Sequence, residues 1–204
     1  MSNLRLGLMG GAFDPIHFGH LFIAEAAAEK FGLDKVLFVP SGRPPHKRRL
    51  GSAGAEDRYA MTKLAIASNP KFAISHIELD RAGYSYSVDT VSAFLQEFGM
   101  DTQIYFITGA DAILDVATWY EAEKLLYMCR FIAATRPGFD LNGLLKLPEH
   151  WREKISQMEA PLLEISSTDI RSRVAEGRTI KYLLPEEVEE YIYSHGLYLE
   201  SGIK

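Results

Sequence analysis

A single cysteine among 204 residues rules out an internal disulfide, so no covalent cross-link supports this fold. That residue, Cys129, follows Leu125-Leu126-Tyr127-Met128, where it reads as a small buried hydrophobe rather than a nucleophile. Excess basic charge is also missing: 22 Lys and Arg face 27 Asp and Glu, and a net charge of −5 excludes a surface given over to nucleic acid. No apolar run reaches the length that spans a membrane. No basic-then-apolar leader precedes the first strand pattern, so a cytoplasmic location is expected. The chain lacks a G-x-G-x-x-G after its first apolar run, and it contains neither G-x-x-x-x-G-K-[ST] nor G-x-S-x-G. The dinucleotide fingerprint, the P-loop and the serine-hydrolase elbow are thereby set aside. Without repeats, low-complexity tracts or long linkers, residues 1–204 are expected to form one domain, with a C-terminal helical part over 166–204.

What is present alternates between two periodicities. Apolar runs at Leu4–Met9, Lys35–Pro40, Gln103–Thr108 and Phe131–Thr135 read as buried strands, and Phe72–Leu79 as one or two short ones. Between them lie helical patterns. Leu21, Ala24, Ala28 and Phe31 mark the first, and Asp57–Asn69 the second. Val88, Val91, Leu95 and Phe98 form a third, with Ser87 expected as its cap, and Trp119–Met128 a fourth. The stretch 139–160 is weakly patterned, with one helix expected around Trp151. Leu162–Ile165 reads as a last strand that feeds Ser166-Ser167-Thr168-Asp169, a capping-box-like helix start. A final helix runs from Pro185, read as its first residue, to a terminating Gly196. Alternating strands and helices predict an α/β fold: a Rossmann-like domain with a mostly parallel sheet flanked by helices.

The chemically distinctive residues follow the strands. Gly10-Gly11-Ala12-Phe13-Asp14-Pro15-Ile16-His17-Phe18-Gly19-His20 occupies a strand-to-helix turn, where backbone N–H groups and the helix dipole attract anions. His17 and His20 are three residues apart and share one helix face. They read as capping residues, as two ligands of a metal with Asp14 as the third, or as imidazoles donating to phosphate; the glycines and the setting favour phosphate. A helix N-terminus disfavours imidazolium, so both rings are expected to be neutral without ligand and to gain protons as phosphate arrives. Arg43, His46, Lys47, Arg48 and Arg49 form a basic loop stiffened by Pro44-Pro45, suited to closing over a polyphosphate. Arg171 lies about one turn into the helix that starts near Ser166, within reach of the same anion. Trp119-Tyr120 is either core or a stacking surface for a flat ring.

Together these residues resemble the nucleotidyltransferase superfamily with the H-x-G-H signature, here His17-Phe18-Gly19-His20. The second signature of its adenylyltransferase branch, I-S-S-T-x-I-R, reads Ile165 to Arg171 without a mismatch. Pro44-Pro45-His46-Lys47, Ser85-Tyr86-Ser87, Gly109-Ala110-Asp111, Trp119-Tyr120 and Arg136-Pro137-Gly138 are similar, in the same order, to the bacterial nicotinate-nucleotide adenylyltransferase family.

The resemblance implies adenylyl transfer from ATP to nicotinate mononucleotide, with Mg²⁺ as the polyphosphate counter-ion and no metal held by the protein itself. It implies His17, His20, Lys47 and Arg171 as the catalytic groups. Gly10, Gly11, Ala12, Phe13, Gly19, Gly109, Asp111, Arg136, Ile165, Ser166 and Ser167 join both histidines and Arg171 around ATP. Phe13, Asp14, His46, Lys47, Tyr86, Ser87, Trp119 and Tyr120 are implied around the mononucleotide. The implied partners are the two nucleotides, without nucleic acid or membrane, and a homo-oligomer is compatible with them. Two departures stand out: Ala12 replaces the Thr or Ser common in the family, and Ser87 replaces a common Thr.

Overall fold

The computed structural model describes residues 3–42, 52–135, 142–161 and 163–199. Six strands form one sheet: β1 (Arg5–Gly11), β2 (Lys35–Pro40), β3 (Phe72–Ile74), β4 (Gln103–Gly109), β5 (Arg130–Thr135) and β6 (Ile155–Glu159). Every pairing is parallel, in the order β3-β2-β1-β4-β5-β6. The first three strands step one way from β1, and the next three step the other way. The order therefore reverses between β1 and β4, and that switch point opens a crevice at the carboxyl ends of the strands.

The strands are apolar on both faces, as a sheet covered on both sides requires. Leu6 and Leu8 of β1, with Ile104 and Phe106 of β4, belong to one core. Met9, with Tyr105 and Ile107, belongs to the other. Helices α1 (Phe18–Lys30), α2 (Ala55–Ile66), α8 (Ser167–Ala175) and α9 (Glu186–Ser194) contribute buried residues to the Met9 side. Helices α4 (Ser87–Phe98) and α6 (Ala122–Met128) contribute to the Leu6 side. Short helices α3 (Ile77–Asp80), α5 (Ala110–Leu114) and α7 (Glu149–Arg152) complete the connections. Cys129 is buried, and burial raises its thiol pKa, in keeping with its reading as a hydrophobe. Among the described residues, no helix is long and apolar enough to cross a membrane.

The structure revises several boundaries: of Phe72–Leu79 only Phe72–Ile74 is strand and Ile77–Asp80 is helical, and the helix expected over Asp57–Asn69 runs Ala55–Ile66. The sixth strand is Ile155–Glu159, inside the stretch that lacks a clear pattern, whereas 163–165 form no strand. Glu121 takes a left-handed conformation (φ 49°), which delays the helix expected from Trp119 until Ala122. Tyr86 is the N-cap of α4, and Ser87 is its first helical residue. Pro185 likewise sits one position earlier than expected, as the N-cap of α9.

Candidate active site

The crevice at the switch point holds a cavity of about 510 Å³. Met9 and Gly10 at the end of β1, residues 107–111 across β4 and α5, and Ala134 and Thr135 at the end of β5 line one side. His17, Gly19, His20, Phe22 and Ile23 of α1 line another, and Ser166, Ser167 and Thr168 at the start of α8 a third. Two helix N-termini therefore meet at one cavity, and both carry partial positive charge. The α8 end is capped by Ser166 Oγ, which accepts from the Asp169 N–H at 3.1 Å.

His17 is the N-cap of α1, with an extended backbone (φ −151°, ψ 170°), and is 6% exposed. Its N–H donates to His20 Nδ1 at 3.3 Å. A neutral His20 ring accepting at Nδ1 carries its proton on Nε2, which makes Nε2 the donor. The two rings stack with centroids 3.7 Å apart, and Phe13 meets His20 edge-on at 5.2 Å. His17 Nδ1 is buried against the first turn of α1, on the side of the His20 N–H, in the position of an N-cap acceptor. Gly19 makes the arrangement sterically feasible, because a Cβ there would lie 3.0 Å from His17 Nδ1 and 3.1 Å from its Cε1. Burial lowers the His17 pKa to about 4. Burial, aided by the neighbouring His17, lowers His20 to about 3. Both rings are thus neutral at pH 7, with desolvation as the main cause.

The loop from Ala12 to Phe18 is gripped from several elements. Arg58 of α2, only 6% exposed, donates from Nη1 to Ala12 O (2.6 Å) and from Nη2 to Ser41 O (2.7 Å). Arg171 Nη1 donates to Asp14 O at 2.6 Å, Ser167 Oγ to Pro15 O at 2.8 Å, and Phe18 N–H to Leu183 O at 3.1 Å. The Asp14 carboxylate is buried. Its Oδ1 accepts from the Ala53 N–H (3.0 Å) and the Tyr198 hydroxyl (2.8 Å). Asp14 therefore has neither histidine among these partners, and the described residues contain no group of three His, Cys, Asp or Glu placed to hold a metal.

The sequence-predicted residues divide into groups. Gly10, His17, Gly19, His20, Gly109, Asp111, Ile165, Ser166 and Ser167 share the cavity. Gly11, Ala12, Phe13, Asp14 and Arg171 build the loop behind it. Phe13 is 2% exposed and packs into the core behind the turn. Tyr86 and Tyr120 form a separate aromatic pair, with centroids 4.4 Å apart, beside Ser87. Trp119 packs edge-on against Phe106 (5.8 Å) and Phe131 (6.0 Å), so it is partly core, whereas Tyr120 is 54% exposed. Arg43, Pro44, Pro45, His46, Lys47, Arg48, Arg49 and Arg136 lie outside the described residues.

The cytidylyltransferase-like family model matches residues 8–173. A protein of Moorella thermoacetica named a probable nicotinate-nucleotide adenylyltransferase is 60% identical over 198 residues, covering 95% of this chain and 91% of its own. One of the same name from a Thermoanaerobacter species is 54% identical over 199 residues, covering 96% of this chain and 94% of its own. The chain belongs to the nicotinate-nucleotide adenylyltransferase family. It is accordingly a nucleotidyltransferase. The fold agrees with that of the Plasmodium falciparum nicotinic acid mononucleotide adenylyltransferase complexed with NaAD. The TM-score is 0.79 at 22% identity, over 96% of this chain and 98% of that one.

Sequence reading of this adenylyltransferase missed Arg58 and Tyr198. Arg58 looks like an ordinary polar residue in a helical pattern, and nothing near it signals that its partners are Ala12 and Ser41. Tyr198 offers one weak cue: an aromatic residue two positions after a helix-ending glycine.

Proposed function

We propose that the protein transfers the adenylyl group of ATP to nicotinate mononucleotide, giving nicotinate adenine dinucleotide and pyrophosphate, a step of NAD biosynthesis. The observation that carries this reading is the cavity at the switch point, where two helix N-termini and the stacked His17–His20 pair converge. The names of the relatives support the substrate pair.

The mononucleotide phosphate is already an anion and attacks the α-phosphorus of ATP in line, with pyrophosphate leaving, so no protein base is needed. Catalysis then rests on positioning and on stabilising charge. His20 Nε2–H and the His17 ring meet the ATP phosphates. Ser167 and Arg171 hold the β/γ end, with the Ser166 and Ile165 backbone alongside. Asp111 and Gly109 face the adenosine, joined by Arg136, and Gly10, Gly11, Ala12, Phe13 and Gly19 shape the phosphate turn. By the family resemblance, Lys47 is assigned to the transferring phosphate and His46 to the mononucleotide. Tyr120, Tyr86 and Trp119 flank the nicotinate ring, while Ser87 and the Tyr120 backbone receive its carboxylate, and Asp14 holds the loop between the two substrates. Mg²⁺ bound with ATP would supply positive charge that offsets the polyphosphate. In this reading residues 1–204 act as one unit, the part over 166–204 supplies Ser166, Ser167 and Arg171, and the enzyme works in the cytoplasm.

The test is pyrophosphate release with ATP and Mg²⁺, comparing nicotinate mononucleotide with its amide, nicotinamide mononucleotide, at matched concentration. Strong preference for the acid is expected. Release with neither overturns the assignment.

A further inference from the structure

A second buried carboxylate lies apart from the histidine loop. Glu78 of α3 is 9% exposed, and its partners come from separate parts of the chain. The Thr90 hydroxyl of α4, itself buried, donates to Glu78 Oε1 at 2.8 Å. The Ser85 hydroxyl and the N–H of Gly42, two residues past β2, also donate to the carboxylate. Arg81 Nη1 donates to Thr90 Oγ1 at 3.1 Å, so one hydroxyl links the guanidinium to the carboxylate. Burial raises the Glu78 pKa, and Thr90, Ser85, Arg81 and Gly42 all oppose that shift by stabilising the charged form.

These bonds bear on the connection between α3 and α4. Arg81, Ala82, Gly83 and Tyr84 make no backbone–backbone hydrogen bond with another described residue. The connection is held through side chains instead, with Glu78 at their centre. It receives Ser85 on one side of Tyr86, and Thr90 one turn into α4 on the other. Tyr86 is the N-cap between them, and its carbonyl accepts the Asp89 and Thr90 N–H groups at 3.1 and 3.3 Å. The point where Tyr86 and Ser87 enter the helix is therefore set between two residues that share one buried acceptor. From that point the Tyr86 ring meets the half-exposed Tyr120 ring at 4.4 Å.

We infer that Glu78 is a positioning residue for the mononucleotide: by accepting from Ser85 and Thr90 on either side of Tyr86 and Ser87, it fixes the turn that presents those two residues to the nicotinate moiety. The inference rests on the adenylyl-transfer reading above, which assigns Tyr86 and Ser87 to that substrate.

The test is steady-state dinucleotide formation by the full-length chain as wild type, Glu78→Gln, Thr90→Val and Thr90→Ser, with each substrate varied in turn. Gln keeps the shape of the side chain but offers a single acceptor oxygen, with two lone pairs, to three donors. Glu78→Gln is expected to raise KM for nicotinate mononucleotide about fivefold, the scale of one buried hydrogen bond, with KM for ATP and kcat changing by less than about twofold. Thr90→Val removes one donor, shifts the same constant by about threefold, and carries the test where Glu78→Gln does not fold. Thr90→Ser keeps the hydroxyl and is expected to keep the wild-type value. A lowered Tm with both KM values unchanged, or equal rises in KM for ATP and for the mononucleotide, overturns the inference, as does a Thr90→Ser that behaves like Thr90→Val. A wild type that forms no dinucleotide overturns the adenylyl-transfer reading itself, and the inference with it. An active wild type with indifferent Glu78→Gln and Thr90→Val overturns only the inference.

Discussion

Desolvation of the histidine pair ties stability to pH in a way that one substitution isolates. The His17 pKa is about 4 in the folded chain, against an ordinary 6.5. The unfolded chain therefore binds a proton at this position below pH 6.5 that the folded chain refuses until about pH 4. The sign follows: the contribution is fully present above the unfolded value, drains away as pH falls towards the folded value, and changes no further once both states are protonated. Between pH 8 and pH 5, linkage gives a loss of about 2 kcal/mol from His17 alone. His17→Asn removes the titration while keeping a residue suited to an N-cap. Urea unfolding of both proteins at the two pH values measures the difference. With a slope of about 2 kcal/mol/M, the wild-type midpoint falls by about 1 M more than that of the variant. Parallel behaviour within about 0.5 kcal/mol would mean that His17 is not desolvated, and the neutral-imidazole account of the site would fail.

Other perturbations probe the remaining parts of the site. His20→Ala is expected to fold normally and lose about two to three orders of magnitude in kcat, the scale for one donor to a developing charge; near-normal turnover rejects that role. Tyr120→Ala raises the mononucleotide KM with little change in Tm, since the ring is 54% exposed. Trp119→Ala, by contrast, also costs about 3 kcal/mol of stability through its Phe106 and Phe131 contacts, and equal thermal behaviour of the two variants contradicts the distinction. Gly42→Ala places a Cβ against the Glu78 carbonyl oxygen and is expected to destabilise by more than about 2 kcal/mol in chemical denaturation; a neutral effect would show that the close approach is not maintained. ATP binding near pH 6 takes up protons if the imidazoles charge against phosphate, and calorimetric heats that do not depend on the buffer's ionisation enthalpy dismiss that coupling.

The parallel sheet was legible because its strands are apolar on both faces, a pattern that a one-sided sheet does not show. β6 escaped because it is a five-residue edge strand, ISQME, of which only Met158 is buried. The more apolar Leu162–Ile165 run drew the strand expectation, yet Leu163 and Ile165 line the cavity instead. Glu121 was beyond reach for a different reason. Its backbone is left-handed, and sequence carries no cue for a glutamate in that conformation. The histidine motif could be read because its members are contiguous. The residues that support it could not: Arg58 acts on Ala12 across 46 positions, and Tyr198 on Asp14 across 184.

These long-range supports also explain how a chain of net charge −5 presents a site for two anions. Around the Tyr198 phenol lie three charges: Asp14, which raises its pKa, and Arg171 and Arg58, which lower it. Arg58 directs two of its N–H groups to the Ala12 and Ser41 carbonyls. The partial charges of two helix N-termini add in a crevice partly screened from water. Neutral histidines complement that field. Charged imidazoles in the same space would repel one another and the dipoles before ligand arrived, whereas neutral rings at hand can donate, or take up a proton, once phosphate supplies the opposing charge. The electrostatics of the site are therefore assembled by burial and by distant partners, and the surface net charge does not govern them.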